Sequence, residues 1–502
     1  MTLMRPLLAC GATGLQRAAF ALLLAGFMAA PAPAETLVSV ALDTQHPGTA
    51  IAPDFAGLSF EISLLLPGPD GTHYFRPDNR PLLDLFRQLG IKSLRLGGNT
   101  SDRDAKRLPD EADLDSLFAF AKAADVKVIY CLRLHRGDPE EDARTVKYIM
   151  DRYAPWVDGF SIGQEPSAYP KDNAAETRSN LERMGPAAEK NPYARYRDEW
   201  RRFAAVIIAA VPNVKFCGPG VHNNADWAKR FMADFGQTNH VALITEHLYP
   251  GGAGNKVPSP EVGIDRMLSG EFTRKYARLH DGFVPAAQAL GLPCRLEEVN
   301  NYFNGGAANV SSTFAAALWG LDFMYWWATH DLAGVNFHTG DRVAAGPSLE
   351  PSKYTAFFST TNGYLVRPLG YGLKAFSLGA AGRVVPVHLG TTTTNLNLTA
   401  YATLATNGTL AVTLINREHG PNARAVKVSL APATHFRNGR LMRLAAPQND
   451  VNATTHVTLG GAEIEPDARW NGTWQSLPRD AAGPFILDLP ASSAAVVRLT
   501  RN

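Results

Sequence analysis

The sequence predicts an α/β protein, a (β/α)8 TIM barrel with a C-terminal antiparallel β-sandwich domain. Three observations predict it. Strand-like and helix-like segments alternate eight times between about residues 54 and 345, a span suited to one closed barrel. No Gly-x-Gly-x-x-Gly follows the first strand, which removes the commonest motif of the competing doubly wound sheet. Beyond about residue 372, helical periodicity gives way to short runs rich in Thr, Val and Leu between turn residues, such as Leu410 to Ile415 and Ala495 to Leu499.

The elements follow in chain order. Residues 1–34 read as a signal peptide. Arg5 and Arg17 precede the apolar run Ala18 to Met28, and Ala32-Pro33-Ala34 supplies small residues for cleavage. That run falls short of the ~20 residues that span a bilayer, so an exported protein, periplasmic or secreted, is expected, with no membrane contact after cleavage. Residues 35–53 hold a strand, Thr36 to Leu42, that is placed with the sandwich. The barrel is expected over 54–371, with strands at 56–60, 93–96, 126–131, 157–162, 214–217, 242–245, 294–297 and 334–337, and the sandwich over 372–502. Pro81 and Gly90 bracket the helix Leu82 to Leu89 as start and stop signals. Trp200, Phe203, Ala204, Ile207 and Ile208 recur at helical spacing, which gives one apolar face. Phe314 to Ala328 is apolar nearly all round and should be deeply packed.

Charge excludes one class of partner. The 502 residues carry 49 Lys+Arg and 47 Asp+Glu, and loss of Arg5 and Arg17 with the leader balances the two signs. No global field exists to recruit nucleic acid. Cys131, Cys217 and Cys294 sit in or beside apolar runs and are expected as buried free thiols. His247 and His338 lie near strand ends without a partner at metal-ligand spacing, so no metal is expected.

Barrel chemistry sits where strands pass into the following loops. The fourth strand ends in Gly163-Gln164-Glu165-Pro166 and the seventh in Glu297-Glu298-Val299-Asn300. One carboxylate follows each of two strands on opposite sides of the barrel mouth. Glycoside cleavage with retention uses such a pair, one acid to protonate the leaving oxygen and one carboxylate to attack the anomeric carbon. Side-chain alternation along a strand sets Glu297 and Glu298 on opposite faces, and the spacing to Gly305-Gly306 favours Glu298.

Several blocks make the chain similar to a known family. Leu94-Arg95-Leu96-Gly97-Gly98-Asn99, Ile162-Gly163-Gln164-Glu165-Pro166, Cys217-Gly218-Pro219, His247-Leu248-Tyr249 and Glu298 to Gly306 are the main ones, with Thr313 to Ala316 after them. They resemble glycoside hydrolase family 79, the heparanase and β-glucuronidase family, over most of the chain. The resemblance implies Glu165 as acid/base, Glu298 as nucleophile and Tyr249 as its hydrogen-bond donor. It implies Glu61 and Asn99 as partners of sugar hydroxyls. The loop amides of Asn304 and Gly305 and the hydroxyl of Tyr354 would then receive the substrate's C6 carboxylate. Gln164 stands where the clan usually carries an Asn that contacts the 2-hydroxyl, and Phe303 where some members carry a carboxylate-binding Tyr.

The implied function is a retaining β-glucuronidase that needs no cofactor and acts on a glucuronic-acid-containing glycoside or polysaccharide. The insert from Tyr169 to Trp200 mixes Lys171, Arg178, Arg183 and Lys190 with Asp172, Glu176 and Glu182. With no one-sign run there, and with a loop 251–256 placed to fold over the mouth, release of single residues from non-reducing ends is expected. The alternatives are an endo-acting heparanase-like enzyme, a related barrel glycosidase for a neutral sugar, and a carbohydrate-binding protein without catalysis. Oligomeric state is left open.

Overall fold

The computed structural model describes residues 36–169, 191–341, 351–391, 394–431, 436–477, 479 and 483–501. The expected leader lies outside them, as do Lys171, Asp172, Glu176, Arg178, Glu182, Arg183 and Lys190 of the insert. Among the described residues no helix is long and apolar enough to cross a membrane.

Strand β1 (Thr36–Leu42) precedes the barrel. Eight parallel strands then close on themselves: β2 (Ala56–Glu61), β3 (Ser93–Gly97), β4 (Lys127–Leu132), β5 (Val157–Ile162), β6 (Phe216–His222), β7 (Val241–Leu248), β8 (Cys294–Val299) and β9 (Gly334–His338). Their residues are almost all buried because helices cover the outer face and side chains fill the inside. The interior holds two arginines, Arg95 and Arg295, each 2% exposed or less. Arg295 is neutralised by Asp54 at 2.7 Å and bonded to Asn336, so the burial of its charge is compensated.

Local signals set the helix ends. In Arg80–Leu89, Gly90 takes the left-handed conformation at φ 73° and returns its N–H to the carbonyls of Phe86 and Arg87. In Pro192–Ala210, Trp200, Phe203, Ala204 and Ile207 are buried while Ile208 is half-buried at the rim of that face. Helix Phe314–Thr329 is buried on nearly every side. Its Asp322 accepts from Thr399 and Tyr401 of strand Leu398–Leu404 and from Arg417 just after strand Leu410–Asn416, which pins the barrel to the C-terminal region.

β6 and β7 extend furthest past their expected ends. β6 runs on through Gly218-Pro219-Gly220, and its pairing with β7 slips between Pro219 and Val221. Pro219 has no N–H to offer the ladder, so a slip there is what the chemistry demands. β7 likewise continues to Leu248.

The C-terminal region forms two antiparallel-dominated sheets. β1 lies between Val387–Thr391 and Val426–Ala431 in a four-stranded sheet. The other has seven strands with Leu410–Asn416 and Ser493–Thr500 at its centre. A separate apolar cluster, including Val38, Val40, Val412 and Val428, fills the space between them. Cys131, Cys217 and Cys294 are buried free thiols.

Candidate active site

β5 and β8 deliver the two carboxylates to one place. Glu165 follows β5 with a left-handed backbone at φ 46°, ψ 57°, uncommon for a residue with a side chain, and its N–H is held by the Gly220 carbonyl at 3.1 Å. Glu298 stands near the end of β8. A carboxylate oxygen of each, together with a ring nitrogen of His247, lies within 4.8 Å of the others. Both acids line a cleft of about 980 Å³ at the barrel mouth.

Glu298 is held by three donors. Arg95 from β3 donates to Oε2 at 2.7 Å, Gln164 Nε2 to the same oxygen at 3.0 Å, and Tyr249 to Oε1 at 2.9 Å. The Oε1 of Gln164 in turn accepts from Arg95 at 2.5 Å and from the Gly98 N–H at 3.2 Å. Both ends of the Gln164 amide are therefore committed inside the protein, and the residue is only 1% exposed. Burial acts to raise the Glu298 carboxyl. The charges of His338, His247 and Arg95 and the bond from Tyr249 overcome it and hold this group well below the usual carboxylate range.

Glu165 has different company. His247 Nδ1 lies 3.1 Å from its Oε1 and Arg103 Nη2 3.4 Å from its Oε2. Burial acts to raise this carboxyl too, and the hydrogen bond and charge of His247 outweigh it, so it sits below its ordinary value. His247 itself is desolvated, which works against its charged form, yet Glu298, Glu165 and Glu297 carry it up to about 9. Asp102 fixes the loop beneath: it accepts from the N–H groups of His135 and Gln164 and from the hydroxyl of Tyr169.

The remaining expected residues are distributed around the same cleft. Glu61, Asn99, Asn304, Gly305 and Tyr354 all line it. The Glu61 carboxylate accepts from the N–H of Asn99 at 3.1 Å and from the N–H and hydroxyl of Thr100 at 2.8 and 2.6 Å, so it also caps that turn. Gly98 has φ +72°, and a Cβ there would collide with this carboxylate. The side-chain oxygen of Asn99 accepts from Arg103. Asn304, Gly305 and Gly306 are successive left-handed residues at φ 58°, 75° and 89°, and the Gly305 carbonyl accepts from the Lys353 N–H at 2.7 Å. Phe303 lines the cleft edge-on to Tyr249, whereas Tyr302 is fully buried and donates away from it, to the Gly263 carbonyl.

Two expectations are revised. Strict alternation would send Glu297 and Glu298 to opposite faces, yet both approach His247. Pairing on either side of β8 slips here, between Glu246 and His247 and between Leu296 and Val299, which breaks the period of two. Glu297 accepts from Thr245 at 2.8 Å, faces His247 Nε2 at 3.6 Å and is fully buried, so substrate cannot reach it. The loop 251–256 does not cover the mouth. Its backbone bonds to Asn301 and Phe303, alongside the loop that follows Glu298, and none of its residues lines the cleft.

Arg95, Arg103, His222 and Lys353 were not anticipated. The sequence held one signal for them: Arg95 is a lone charge in an otherwise apolar strand, and a buried charge needs a partner.

No family model matches the chain. It is 24% identical over 402 residues to a β-glucuronidase of Aspergillus niger, an alignment covering 68% of this chain and 66% of that relative. The chain thus spans just under two thirds of that relative's length. A β-glucuronidase of Neurospora crassa is 29% identical over 142 residues, 27% of this chain and 25% of the relative. Among solved structures, the chain is similar to a 4-O-α-L-rhamnosyl-β-D-glucuronidase from Fusarium oxysporum, with a TM-score of 0.70, 16% identity and coverage of 92% and 99% of the two chains. It is also similar to a family 51 arabinofuranosidase from Xanthomonas axonopodis pv. citri, with a TM-score of 0.64 and 15% identity over 93% of this chain and 100% of that one. Those likenesses show that barrel and sandwich together form a fold shared among glycosidases.

Proposed function

We propose that this protein is a member of glycoside hydrolase family 79, a retaining β-glucuronidase that removes single glucuronic acid residues from non-reducing ends. The observation that carries the reading is the pair Glu165 and Glu298, with oxygens within 4.8 Å in one cleft beside the left-handed Asn304-Gly305-Gly306 backbone. A retaining enzyme needs its carboxyl groups about 5–5.5 Å apart, and successive left-handed residues turn their N–H groups into an anion cradle. The depressed carboxyl of Glu298 suits a nucleophile that must stay ionised. Its attack on the anomeric carbon breaks the glycosidic bond while Glu165 gives its proton to the leaving oxygen. Glu165 then takes a proton from water, which attacks the glycosyl-enzyme bond and frees Glu298. In the resting pair the proton rests on His247. A bound glycoside that displaces water from Glu165 favours its neutral form.

Exo action is supported by the charge of the cleft. Arg103, Arg136 and Lys353 are matched by Glu61, Asp104, Glu165 and Glu298, so no basic groove runs through the described lining to hold an acidic polymer on both sides of a cut. Export as a periplasmic or secreted enzyme follows from the composition of residues 1–34.

The test is turnover of aryl β-glucuronide against aryl β-glucoside, with the first-formed anomer followed by NMR. Preference for the glucuronide with a β-configured first product supports the proposal. Preference for the glucoside favours the neutral-sugar reading, and an α-configured first product overturns retention. Early mid-length fragments from a glucuronate-containing polymer would establish endo action instead.

A further inference from the structure

A second cleft, of about 1000 Å³, opens on the seven-stranded sheet and shares no lining residue with the first. Helix Pro368–Gly379 joins the two. Arg367 before its first residue donates to the Ser352 and Lys353 carbonyls at the catalytic cleft, and Leu378 near its end lines the second. The helix has 12 residues, and at 1.5 Å per residue it is about 18 Å long.

The sheet face changes character along its length. Ala494 and Val496, with Met442 and Leu444 opposite, pack into the barrel's apolar core. Two residues further along the same face stand Arg498 and Arg440, directly opposite each other in the antiparallel register, then Thr500 and Asn438. Ser476 continues the arginine row on the next strand. A face leaving the core must become polar, but it need not place like charges opposite, which is destabilising. Among the described residues no carboxylate lines this cleft, and exposed Arg440 makes no ion pair. Arg498 gives two N–H groups to the Leu378 carbonyl and stacks on the half-buried Trp474, 4.5 Å from the ring centroid.

We infer that this cleft is a non-catalytic binding site for an acidic saccharide, a chain of pyranose rings bearing carboxylates. The two guanidiniums supply the charge and forked donors that suit a carboxylate. Trp474 offers an aromatic wall of the kind that packs against the C–H groups of a sugar ring, and Asn438, Ser476 and Thr500 offer partners for hydroxyls. An anion between Arg440 and Arg498 relieves the cross-strand repulsion that the empty site carries. The inference does not depend on the catalytic reading, since it concerns binding at the other end of the helix.

The test is calorimetric titration of the full chain with tetragalacturonate, which carries a carboxylate on each ring and α-linkages that a β-glycosidase leaves intact. Cellotetraose and inorganic sulfate serve as probes of sugar without charge and charge without sugar. Tetragalacturonate should bind, and Arg440→Glu and Trp474→Ala should each weaken that binding by about tenfold or more, Arg440→Glu with no loss of thermal stability because it removes the like-charge pair. If Trp474→Ala fails to fold, the exposed Arg440→Glu decides alone. Absence of tetragalacturonate binding, an affinity unchanged in Arg440→Glu, or equal affinity for cellotetraose or for sulfate would overturn the inference.

Discussion

His247 stands between two carboxylates, its Nδ1 3.1 Å from Oε1 of Glu165 and its Nε2 3.6 Å from Oε1 of Glu297. One imidazole thus both stores the proton that Glu165 requires and neutralises a second acid that no solvent reaches. The pair Glu165–His247 titrates as a unit, and its last proton leaves near the raised value of about 9 carried by His247. The alkaline limb of kcat/KM is therefore expected near pH 9 and should move to lower pH in His247→Asn, where Glu165 holds the proton unaided. A pH–rate profile checks this, and an unmoved limb would separate His247 from the acid step. The sign for stability is the same: a histidine raised from 6.5 contributes fully below about pH 6.5 and loses that contribution as pH rises through about 9.

Glu298→Gln keeps the shape and the Tyr249 bond but removes the attacking charge. Its kcat on an aryl β-glucuronide should fall by at least about a thousandfold while the chain still folds, at lower thermal stability because buried Arg95 loses its ionic partner. Near-native kcat would transfer the role to another carboxylate.

Glu165→Ala should show leaving-group dependence. A poor leaving group needs the proton, so natural glycosides should lose about 10²- to 10⁴-fold, while an activated aryl glycoside loses far less in the first step. Equal losses on both substrates would contradict the acid role.

Tyr354→Phe tests recognition of the sugar's C6 carboxylate. A hydrogen bond to a charged group contributes about 1.5–3 kcal/mol, so kcat/KM on the glucuronide should drop by about 10- to 100-fold while the β-glucoside is spared. Equal loss on both would place Tyr354 outside carboxylate recognition.

Glu246 points away from catalysis. Burial raises this carboxyl to about 8, and one oxygen accepts only the Asn224 N–H. A carboxyl raised in the folded state costs nothing below about pH 4.5, where both states are protonated. Its cost grows as pH rises toward 8, because only the unfolded chain ionises freely. Glu246→Gln keeps an acceptor for Asn224 and should stabilise the protein on the order of 2–3 kcal/mol at pH 7, with little effect at pH 4. Chemical denaturation at the two pH values measures the difference, and equal shifts at both would refute the linkage.

The barrel was legible because its strands are apolar runs at regular spacing, and Glu165 and Glu298 because each stands where such a run stops. The surroundings of Glu298 were less so. Arg95 lies 203 residues before it, and nothing local says which acid a buried arginine will meet. Glu297 was misplaced for a different reason: alternation holds only while pairing is regular, and the slips beside β8 are set by neighbours far along the chain. The loop 251–256 reads as placed to fold over the mouth, yet its glycines permit the close backbone approach that binds it to Asn301 and Phe303.

β1 bonds to Val387–Thr391 on one side and Val426–Ala431 on the other. The first strand of the described chain is thus completed by strands that lie beyond the whole barrel in the sequence. At a synthesis rate of about 5–20 residues per second, that strand waits for tens of seconds with both edges open while the whole barrel emerges. Closure of the sandwich then follows the barrel and joins β1 to strands on its far side in the chain, and a chain stopped short of residue 426 would leave an unpaired edge available to its neighbours.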